Sequence, residues 1–408
     1  MHKLAYLILT VIYFRVMSKN VLVMISPMSA ARVSGVARYA REHGWHLMIQ
    51  DRLGHNPLAW NGDGVIATLR SDEASCESIR ALMRRGVPVV DLTASRPDIS
   101  VPRVTSDHVE IGRLAASHFK ERNFKNVAWF SIGWGHVHEL RFKGLTESIP
   151  AEKWVLSQAL PKRKQNDWEA FSNWISEKLA SAPKPIAVLT YDESDATRLL
   201  YAAKHIGVAV PEELAILSIG NDPLICENQS VTLSSIDQNL ERGGYEAAAL
   251  LGRIMSGRRS PSNPSLVPPE KIVMRQSTDA IAVSDQLVRQ ALDYIKSNLS
   301  DRFGVAQIAD ALGTTQNILH KRFSREVGRT VGSEIARQRL AAAKLMLRNT
   351  SMTLAEIAEA TGYCTPSHLS NTFHAATGIS PRAWRKKYHN QHRARSCAIK
   401  NGQIPITF

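Results

Sequence analysis

The sequence predicts a two-lobed α/β domain followed by an all-α domain with two helix-turn-helix units. Three observations predict this fold class: strand-like and helical segments alternate from the start, the alternation restarts after Asn123, and residues 286–388 are almost wholly helical in pattern. Strand–helix alternation is typical of a parallel sheet with helices on both faces, and two such halves predict two lobes around a cleft. We expect domains at 19–275 and 286–390, a linker at 276–285, an N-terminal extension at 1–18 and a tail at 391–408.

The strands of the first domain are predicted from short runs rich in Val, Ile and Leu. They lie at residues 20–25, 47–50, 64–67, 87–91, 101–105, 126–132, 186–190 and 214–219. Helices are predicted at residues 32–43, 75–85 and 194–205, where apolar residues recur at helical spacing. Residues 256–269 are rich in Pro, Ser and Gly and are expected to form a loop near the end of this domain.

Positive charge is concentrated near the C-terminus. The chain has 51 Lys and Arg against 37 Asp and Glu, and from Ser284 onward the numbers are 18 and 8. The last part therefore has a net charge of +10, and the rest of the chain only +4. A basic block beside a near-neutral body is typical of proteins with a polyanionic partner. A solvated basic surface is the alternative.

The cysteines and the first residues bear on the compartment. Four scattered cysteines without a CxxC pair predict neither a zinc ribbon nor a disulfide framework, and fit a reducing cytoplasm. The apolar run from Leu4 to Phe14 is shorter than the roughly 20 residues that span a bilayer, and no A-x-A cleavage site follows it. We expect translation to start at Met17 and no membrane partner. A membrane or export signal is the alternative.

Two similar helical pairs lie in the basic part, at residues 305–312 with 316–326 and at 354–360 with 366–375. Each pair has a glycine at its turn, a Leu and a Phe four residues apart on its second helix, and a glycine at its end. These residues are Gly313, Leu319, Phe323 and Gly328, and then Gly362, Leu369, Phe373 and Gly378. The pattern predicts helix-turn-helix units whose second helices enter the major groove of DNA. A dimerisation module that binds no DNA is the alternative.

A long helix is predicted between the two units, at residues 331–348. Its buried stripe is expected at Ala336, Leu340, Ala343 and Leu347. A continuous helix is stiff, so it would hold the two outer helices at a fixed separation. Reading successive major-groove segments on one DNA face requires a separation of about 34 Å.

The sequence resembles two known families along nearly its whole length. Residues 286–388 resemble the AraC-type DNA-binding domain, through IADALGTTQNILHKRF, EIARQRLAAAKLML and the closing GISPRAWR. The preceding part resembles the periplasmic-binding-protein-like sugar-binding lobes of LacI-type repressors, through SGVARYAREHGW, SDHVEIGRLAASHF and VPEELAILSIGND. The pairing implies a transcription regulator controlled by a small sugar, xylose or a related monosaccharide. It also implies a homodimer, a double-stranded operator and RNA polymerase as a further partner.

The resemblance places base-reading side chains on the first turns of the two outer helices. They are Gln316, Asn317, His320 and Lys321 in the first unit, and Ser367, His368 and Asn371 in the second. Asn and Gln can pair with adenine, and Lys can donate to guanine. Six basic residues are expected at phosphates: Arg322, Arg325, Arg382, Arg385, Lys386 and Lys387. Because Pro366 lacks a contacting side chain, and Asn371 and His374 stand where the family usually has basic residues, we expect the first unit to carry most of the specificity. A solvated helix face is the alternative for each.

Candidate ligand residues follow the predicted strands. A sugar site needs carboxylates, amides and arginine for the hydroxyls, and the candidates are Asp107, Arg141, Asp192, Asn221 and Asp222. Arg141 stands where LacI-type lobes place an arginine on ligand hydroxyls. Tyr191–Asp192 stands where Asn–Asp is common, which favours a sugar other than xylose. A helix cap or a hinge bond is the alternative for each.

Catalytic and metal motifs are not evident. His136 and His138 form an HxH with no third ligand in view, and the sequence contains no Gly-rich phosphate loop, nucleophile elbow or HExxH. We therefore expect no cofactor, no metal and no enzymatic activity. The rival functions are an exported sugar-binding module without DNA function and a sugar-processing enzyme with a helical tail.

Overall fold

The computed structural model describes residues 18–50, 60–69, 73–259, 261–280, 282–283 and 285–386, without the side chains at 74, 75 and 349. The expected tail, Lys387 and most of the N-terminal extension, including Met17, therefore lie outside the described residues. The chain divides into two compact units, and the boundary along the chain lies between residues 280 and 281. No helix in the described ranges is both long enough and apolar enough to cross a membrane.

The strands belong to the first unit. In chain order they are β1 (Asn20–Met24), β2 (His46–Gln50), β3 (Gly64–Ala67), β4 (Val89–Asp91), β5 (Val104–Ser106), β6 (Asn126–Ser131), β7 (Glu152–Val155), β8 (Ile186–Thr190), β9 (Leu214–Ile219), β10 (Ser234–Asp237), β11 (Ser265–Val267) and β12 (Lys271–Val273). Three of the predicted strands, at residues 64–67, 186–190 and 214–219, have the observed bounds.

The helices of the first unit alternate with these strands. They are α1 (Ala30–Glu42), α2 (Glu73–Arg84), α3 (His108–Glu121), α4 (His136–Thr146), α5 (Leu156–Ala159), α6 (Trp168–Ser181), α7 (Glu193–His205), α8 (Pro223–Cys226) and α9 (Leu240–Met255), with 3-10 turns at Lys162–Lys164 and Gln276–Thr278. Side-chain caps start several of them: Ser29 accepts from the Arg32 amide, and Asp107, Asp192 and Asp222 cap α3, α7 and α8.

The first lobe has a parallel sheet in the order β2-β1-β3-β4. One face packs on α1 and α9, where Val21 and Val23 meet Ala247 and Leu251. The opposite face carries Leu22 and packs on α2. Both faces are covered, as parallel sheets require, and this explains why β1 is an unbroken apolar run.

The second lobe has a sheet in the order β12-β10-β9-β8-β6-β7, parallel except for β12, which runs antiparallel to β10. Phe130 of β6 and Ile216 of β9 belong to its main core, together with Phe171 and Ile175 of α6. Strands β6, β8 and β9 are buried almost throughout, and because they pair in parallel their carboxyl ends lie at the same edge of the sheet.

The two lobes are not successive halves of the chain. Helix α9 packs most extensively on α1, and β11 pairs with β5, so late segments return to the first lobe. The chain therefore passes between the lobes after β5, after β10 and after β11. The expectation that the second half of the domain simply follows the first is corrected here, because sequence alternation does not report such returns.

The second unit is helical in all its described elements. These are α10 (Gln286–Ser297), α11 (Val305–Ala311), α12 (Gln316–Val327), α13 (Val331–Asn349), α14 (Leu354–Ala360) and α15 (Pro366–Thr377). One core joins α10, α11 and α12 with the start of α13, through residues such as Val288, Phe323 and Ile335. A second core joins the end of α13 with α14 and α15, through Leu347 and Phe373.

The predicted stripe on the long helix is wrong at Ala336, which is exposed. The buried apolar positions at the start of α13 are Val331 and Ile335, whereas Ala343 and Leu347 are buried as predicted. These four lie at multiples of four residues, and a step of four advances about 40° around a helix of 3.6 residues per turn. The buried stripe therefore winds, because α13 packs on one core at its start and on the other at its end.

The expected linker, residues 276–285, is divided between the two compact units. Gln276–Thr278 is a 3-10 turn within the first unit, where Ser277 and Thr278 are fully buried. The Ser277 hydroxyl donates to the Ile216 carbonyl of β9 at 2.6 Å. At the other end of the segment, Asp285 caps α10 of the second unit.

Candidate DNA-binding surface and effector cleft

Helices α12 and α15 are equivalent in their local structure. Thr315 caps α12 by accepting from the Ile318 amide at 3.3 Å, and Thr365 caps α15 by accepting from the His368 amide at 3.1 Å. Each helix buries a Leu and a Phe four residues apart and ends at a glycine with positive φ, Gly328 or Gly378. The predicted repeat is confirmed.

The preceding helices and turns also match. Ile308 and Ala309 of α11 are buried, as are Ile357 and Ala358 of α14. Gly313 and Gly362 stand at the turns with φ of 60° and 68°, a conformation that favours glycine. Each pair is thus a helix-turn-helix in which the second helix leaves one long face outside its core.

The outer faces of α12 and α15 carry the predicted base-reading residues. Their side chains are exposed: Gln316, Asn317, His320, Lys321, Ser367, His368 and Asn371. The sequence reasoning did not select Ile318, which occupies in α12 the position of His368 in α15 and is 48% exposed. An alignment of the two units on their capping threonines would have found it.

Three of the predicted phosphate-binding arginines differ in what they contact. Arg322 donates to both carboxylate oxygens of Asp285, at 2.6 and 2.8 Å, and holds the pKa of that carboxyl below its usual range. Arg325 is more exposed, with its guanidinium 3.6 Å from the same carboxylate. Arg385 is half-buried and donates to the Met352 carbonyl. Arg325 is therefore the freest of the three to reach a phosphate.

A joint connects the two helix-turn-helix units beside α13. A Cβ on Gly362 would lie 2.4 Å from the Leu299 carbonyl oxygen and 2.8 Å from two Arg339 nitrogens. Arg339 extends from α13 to the loop between α10 and α11, where it donates to the Asp301 carbonyl at 2.6 Å and lies 5.2 Å above the Phe303 ring. The turn between α14 and α15 thus packs directly on the loop that follows α10.

Arg141 occupies the cleft between the lobes and is 4% exposed. Its guanidinium donates to the Tyr191 carbonyl at 2.7 Å, to Gln238 Oε1 at 2.8 Å and to His108 Nδ1 at 3.3 Å. The guanidinium carbon also lies 4.7 Å from the centre of the Tyr191 ring. Arg141 therefore joins the end of β8, the start of α3 and the passage after β10.

Aromatic rings form one wall beside Arg141. The His138 ring stacks on Tyr191 with centroids 4.0 Å apart and planes within 9°. Burial, reinforced by the charge of Arg141, lowers the pKa of His138 to about 4, so the ring is neutral near neutral pH. His136 and His138 were considered as a metal motif in the sequence. The His138 ring of this pair is engaged in stacking on Tyr191.

The chain matches two family descriptions and several curated relatives. "Periplasmic binding protein-like domain" matches residues 116–278, and "Helix-turn-helix domain" matches residues 308–387. The Xylose operon regulatory protein of Escherichia coli strain K12 is 29% identical over 372 residues, which are 86% of this chain and 92% of that protein. The protein of the same name from Haemophilus influenzae is 26% identical over 374 residues, 86% of this chain and 94% of its own length.

A solved structure shows the same arrangement of domains. The structure of a xylose-binding transcription activator superposes with a TM-score of 0.66 and 26% identity, over 90% of this chain and 98% of that one. The chain is a DNA-binding transcription regulator that is similar to xylose operon regulators. The predicted fold class and the two resemblances are confirmed. Its relatives are transcription regulators, and its AraC-type part is the DNA-binding part of the regulator.

Within the regulator's cleft, three of the five predicted ligand residues are helix caps. One oxygen of Asp107 accepts from the Glu110 amide, one of Asp192 from the Asp195 amide and one of Asp222 from the Leu224 amide, all at 2.8–2.9 Å. Each cap uses one carboxylate oxygen, and the second carboxylate oxygen takes no part in the cap.

Asn221 holds a turn at the end of β9. It has a φ of 63°. Its side-chain nitrogen Nδ2 donates to the Asp237 carboxylate at 3.0 Å, and its side-chain oxygen Oδ1 accepts from the Arg275 guanidinium at 3.0 Å. It also lines an open groove of about 490 Å³, together with Ala31 and Arg38 of the first lobe. Both alternatives considered for this residue, hinge bond and ligand contact, are compatible with this position.

Several cleft residues were not selected from the sequence. Arg32 lies in the first turn of α1, after β1, and burial together with the charge of Arg141 lowers the pKa of its guanidinium. His108 and Gln238 are buried partners of Arg141. The rule that ligand groups follow strand ends would have reached Arg32 and His108, since α1 and α3 both begin just after strands. Gln238 could be placed only once the passage after β10 was known.

Proposed function

We propose that the regulator binds a double-stranded operator as a homodimer, in the cytoplasm, through the outer faces of α12 and α15. Its effector would be xylose or a related monosaccharide, bound in the cleft at Arg141. The observation that carries the proposal is the presence in one chain of two exposed recognition helices and a cleft with a buried arginine at the strand ends. The two relatives named for the xylose operon support the sugar class.

The cleft offers the groups that a sugar requires. Arg141 can donate to ring or hydroxyl oxygens, and the free carboxylate oxygens of Asp107, Asp192 and Asp222 can accept from hydroxyls. The aromatic wall of Tyr191 and His138 provides an apolar face next to these polar groups. We propose that these residues fix the sugar's orientation.

Control would follow from the lobes. A ligand that contacts both lobes binds the closed form better than the open form, and it shifts the equilibrium only by that difference in affinity. We propose that the closed form changes how the paired DNA-binding units lie on the operator, and that RNA polymerase responds to that change. The regulator would have no enzymatic activity, since control requires only binding.

Fluorescence anisotropy with DNA tests the proposal. Genomic fragments retained by the full chain would be labelled and titrated at several salt concentrations, with and without a panel of monosaccharides. We expect an affinity that falls steeply with salt, because basic residues displace counterions, and that changes at least severalfold with one sugar. Sugar binding without DNA binding would instead support a sugar-binding module, and DNA binding indifferent to every sugar would overturn the effector proposal.

A further inference from the structure

The face of α12 that lies opposite its core includes an apolar side chain. Successive residues advance about 100° around a helix, so the buried Leu319 and Phe323 lie together on one face. By the same geometry Ile318, Lys321 and Arg325 lie together on the opposite face, and all three are exposed. The isoleucine is 48% exposed. It therefore lies among the cations that face a partner, although its side chain can form no hydrogen bond.

Ile318 is unusual among its exposed neighbours. In the part of the chain that the structure describes, it is the one large apolar side chain that the recognition helices α12 and α15 expose. The other exposed residues of these two helices are polar or charged, or are alanine or proline. A single exposed isoleucine is common on protein surfaces, so the position of Ile318 within its helix matters more than its exposure.

Ile318 occupies the third helical position, at which another residue type would stabilise the helix. The capping hydroxyl of Thr315 accepts from the Ile318 amide at 3.3 Å. A Glu or Gln at this position reaches back to the backbone amide of the capping residue and completes a capping box. Isoleucine cannot form that bond, and its branched side chain also favours a helix less than Glu or Gln does.

The first helix of each helix-turn-helix unit does use this position for a capping box. Gln307 of α11 accepts from the backbone amide of its capping residue at 3.0 Å, and Glu356 of α14 does so at 2.6 Å. The recognition helices have Ile318 and His368 at the same position. Stabilisation of the helix start therefore does not account for Ile318, whereas contact with a partner on the outer face does.

The major groove of DNA presents one apolar group that suits this side chain. Every base pair offers donors and acceptors along its edge, and thymine adds a C5 methyl group. We propose that Ile318 reads a thymine of the operator by packing on that methyl group. The inference rests on the proposed function, in which the outer face of α12 binds DNA, and it adds a base that is recognised without a hydrogen bond.

Replacement of thymine by uracil tests the inference, because it removes the C5 methyl group and leaves the hydrogen-bonding groups of the base unchanged. A genomic fragment retained by the full chain would be shortened to the smallest duplex that binds. Its thymidines would then be replaced one at a time by deoxyuridine, and fluorescence anisotropy would measure each affinity. We expect at least one replacement to weaken binding about fourfold, the factor that corresponds to about 0.8 kcal/mol for one buried carbon group.

Substitutions assign the effect to one side chain. Ile318→Ala should bind the thymine and uracil duplexes equally at that position, and should keep any uracil effect at other positions. Ile318→Gln can complete the capping box, so it should lose the same discrimination without lowering the thermal unfolding midpoint of the full chain. Leu345→Ala is the matched control, at an exposed apolar residue of α13, and should discriminate as the wild type does.

The outcomes separate this inference from the function on which it rests. Binding that is indifferent to every uracil, or a uracil effect that persists unchanged in Ile318→Ala, overturns the thymine contact and leaves DNA binding intact. Retention of no fragment by the wild-type chain overturns the DNA-binding surface and the thymine contact with it. Because Ile318 is exposed and alanine favours a helix more than isoleucine, Ile318→Ala should fold as the wild type does.

Discussion

Cations near the recognition helices are of two kinds, those held by the protein and those open to a partner. Arg322 donates to both carboxylate oxygens of Asp285. Arg385 is half-buried and donates to the Met352 carbonyl. Lys321 and Arg325 are exposed on α12. We therefore expect the exposed pair to contribute more to DNA affinity than the held pair.

Substitution of the exposed pair should separate base reading from phosphate contact. Lys321→Ala should cost about 1–3 kcal/mol at one base pair and relax specificity there, whereas Arg325→Ala should weaken all sequences about equally. Anisotropy titrations against the selected operator and its single-base variants measure both. Equal loss on every sequence for Lys321→Ala would show that this side chain does not read a base.

Asp195 predicts a pH dependence of the sensor's stability. Burial, with the neighbouring charge of Asp192, raises the pKa of Asp195 to about 7, although Arg198 opposes the shift. Because the folded pKa exceeds the unfolded value of about 3.9, the neutral acid favours the folded state. This contribution is complete below the unfolded pKa and is lost as pH rises through about 7.

Urea unfolding of residues 18–280 at about pH 5 and about pH 8 measures this effect. The wild-type fragment should be less stable at the higher pH, and Asp195→Asn should reduce that difference, since an amide stays neutral. Glu193 is also buried, and burial raises its pKa too, so part of the pH dependence should remain in the variant. An unchanged pH dependence in Asp195→Asn would contradict the assignment to Asp195.

Single residues show which parts of the candidate site could be predicted from the sequence. Arg141 could be selected because its position in a family pattern and after a strand agreed, and it is the buried centre of the cleft. Asp107, Asp192 and Asp222 were also selected, but the same Asp types favour helix starts, and the structure uses each as a cap. Arg32 lies in the first turn of α1 and Arg141 in the second turn of α4, so no local sequence pattern relates the two residues.

At the scale of elements, the joint between the helix-turn-helix units is more than one stiff rod. Helix α13 spans both cores, and in addition the Gly362 turn packs on the Leu299 carbonyl, with Arg339 beside it. The separation of α12 and α15 is thus constrained along the helix and across it. The sequence showed the rod, through its long apolar stripe, but gave no sign of the contact at Gly362 beyond a turn glycine.

Two glycine variants measure the joint against an internal control. Gly313→Ala places a Cβ at φ 60° in open space and should cost about 1–2 kcal/mol. Gly362→Ala has the same backbone strain and also drives its Cβ against the Leu299 carbonyl, so it should cost more. Urea unfolding of residues 281–408 compares them. Equal losses would mean that the turn and the loop are not held together.

Elements of the sensor were predicted unevenly for a physical reason. Strands buried on both faces, such as β8 and β9, are continuous apolar runs and have clear bounds in the sequence. Helix α9 was not predicted, and its membership of the first lobe depends on pairing across more than 200 residues. The close crossing of Gly244 on Arg32 decides that pairing, and no local pattern encodes it.

In the whole molecule, the proposed function couples a cleft that closes on a small ligand to a surface that binds DNA. Each of the two units is compact by itself, so each can be tested alone and then in the full chain. The proposal requires that ligand affinity and DNA affinity be coupled, and that the coupling be reciprocal: an effector that strengthens operator binding must itself bind more tightly when the operator is present.

Selection of bound sequences from a random duplex pool by the full chain, with and without the effector, shows whether both recognition helices bind one duplex. We expect each bound copy to enrich two short conserved blocks about 10 base pairs apart, one for α12 and one for α15. We also expect the affinity for the enriched sequence to change when the effector is added. Enrichment of a single block, or of none, would contradict the claim that both helices bind one duplex.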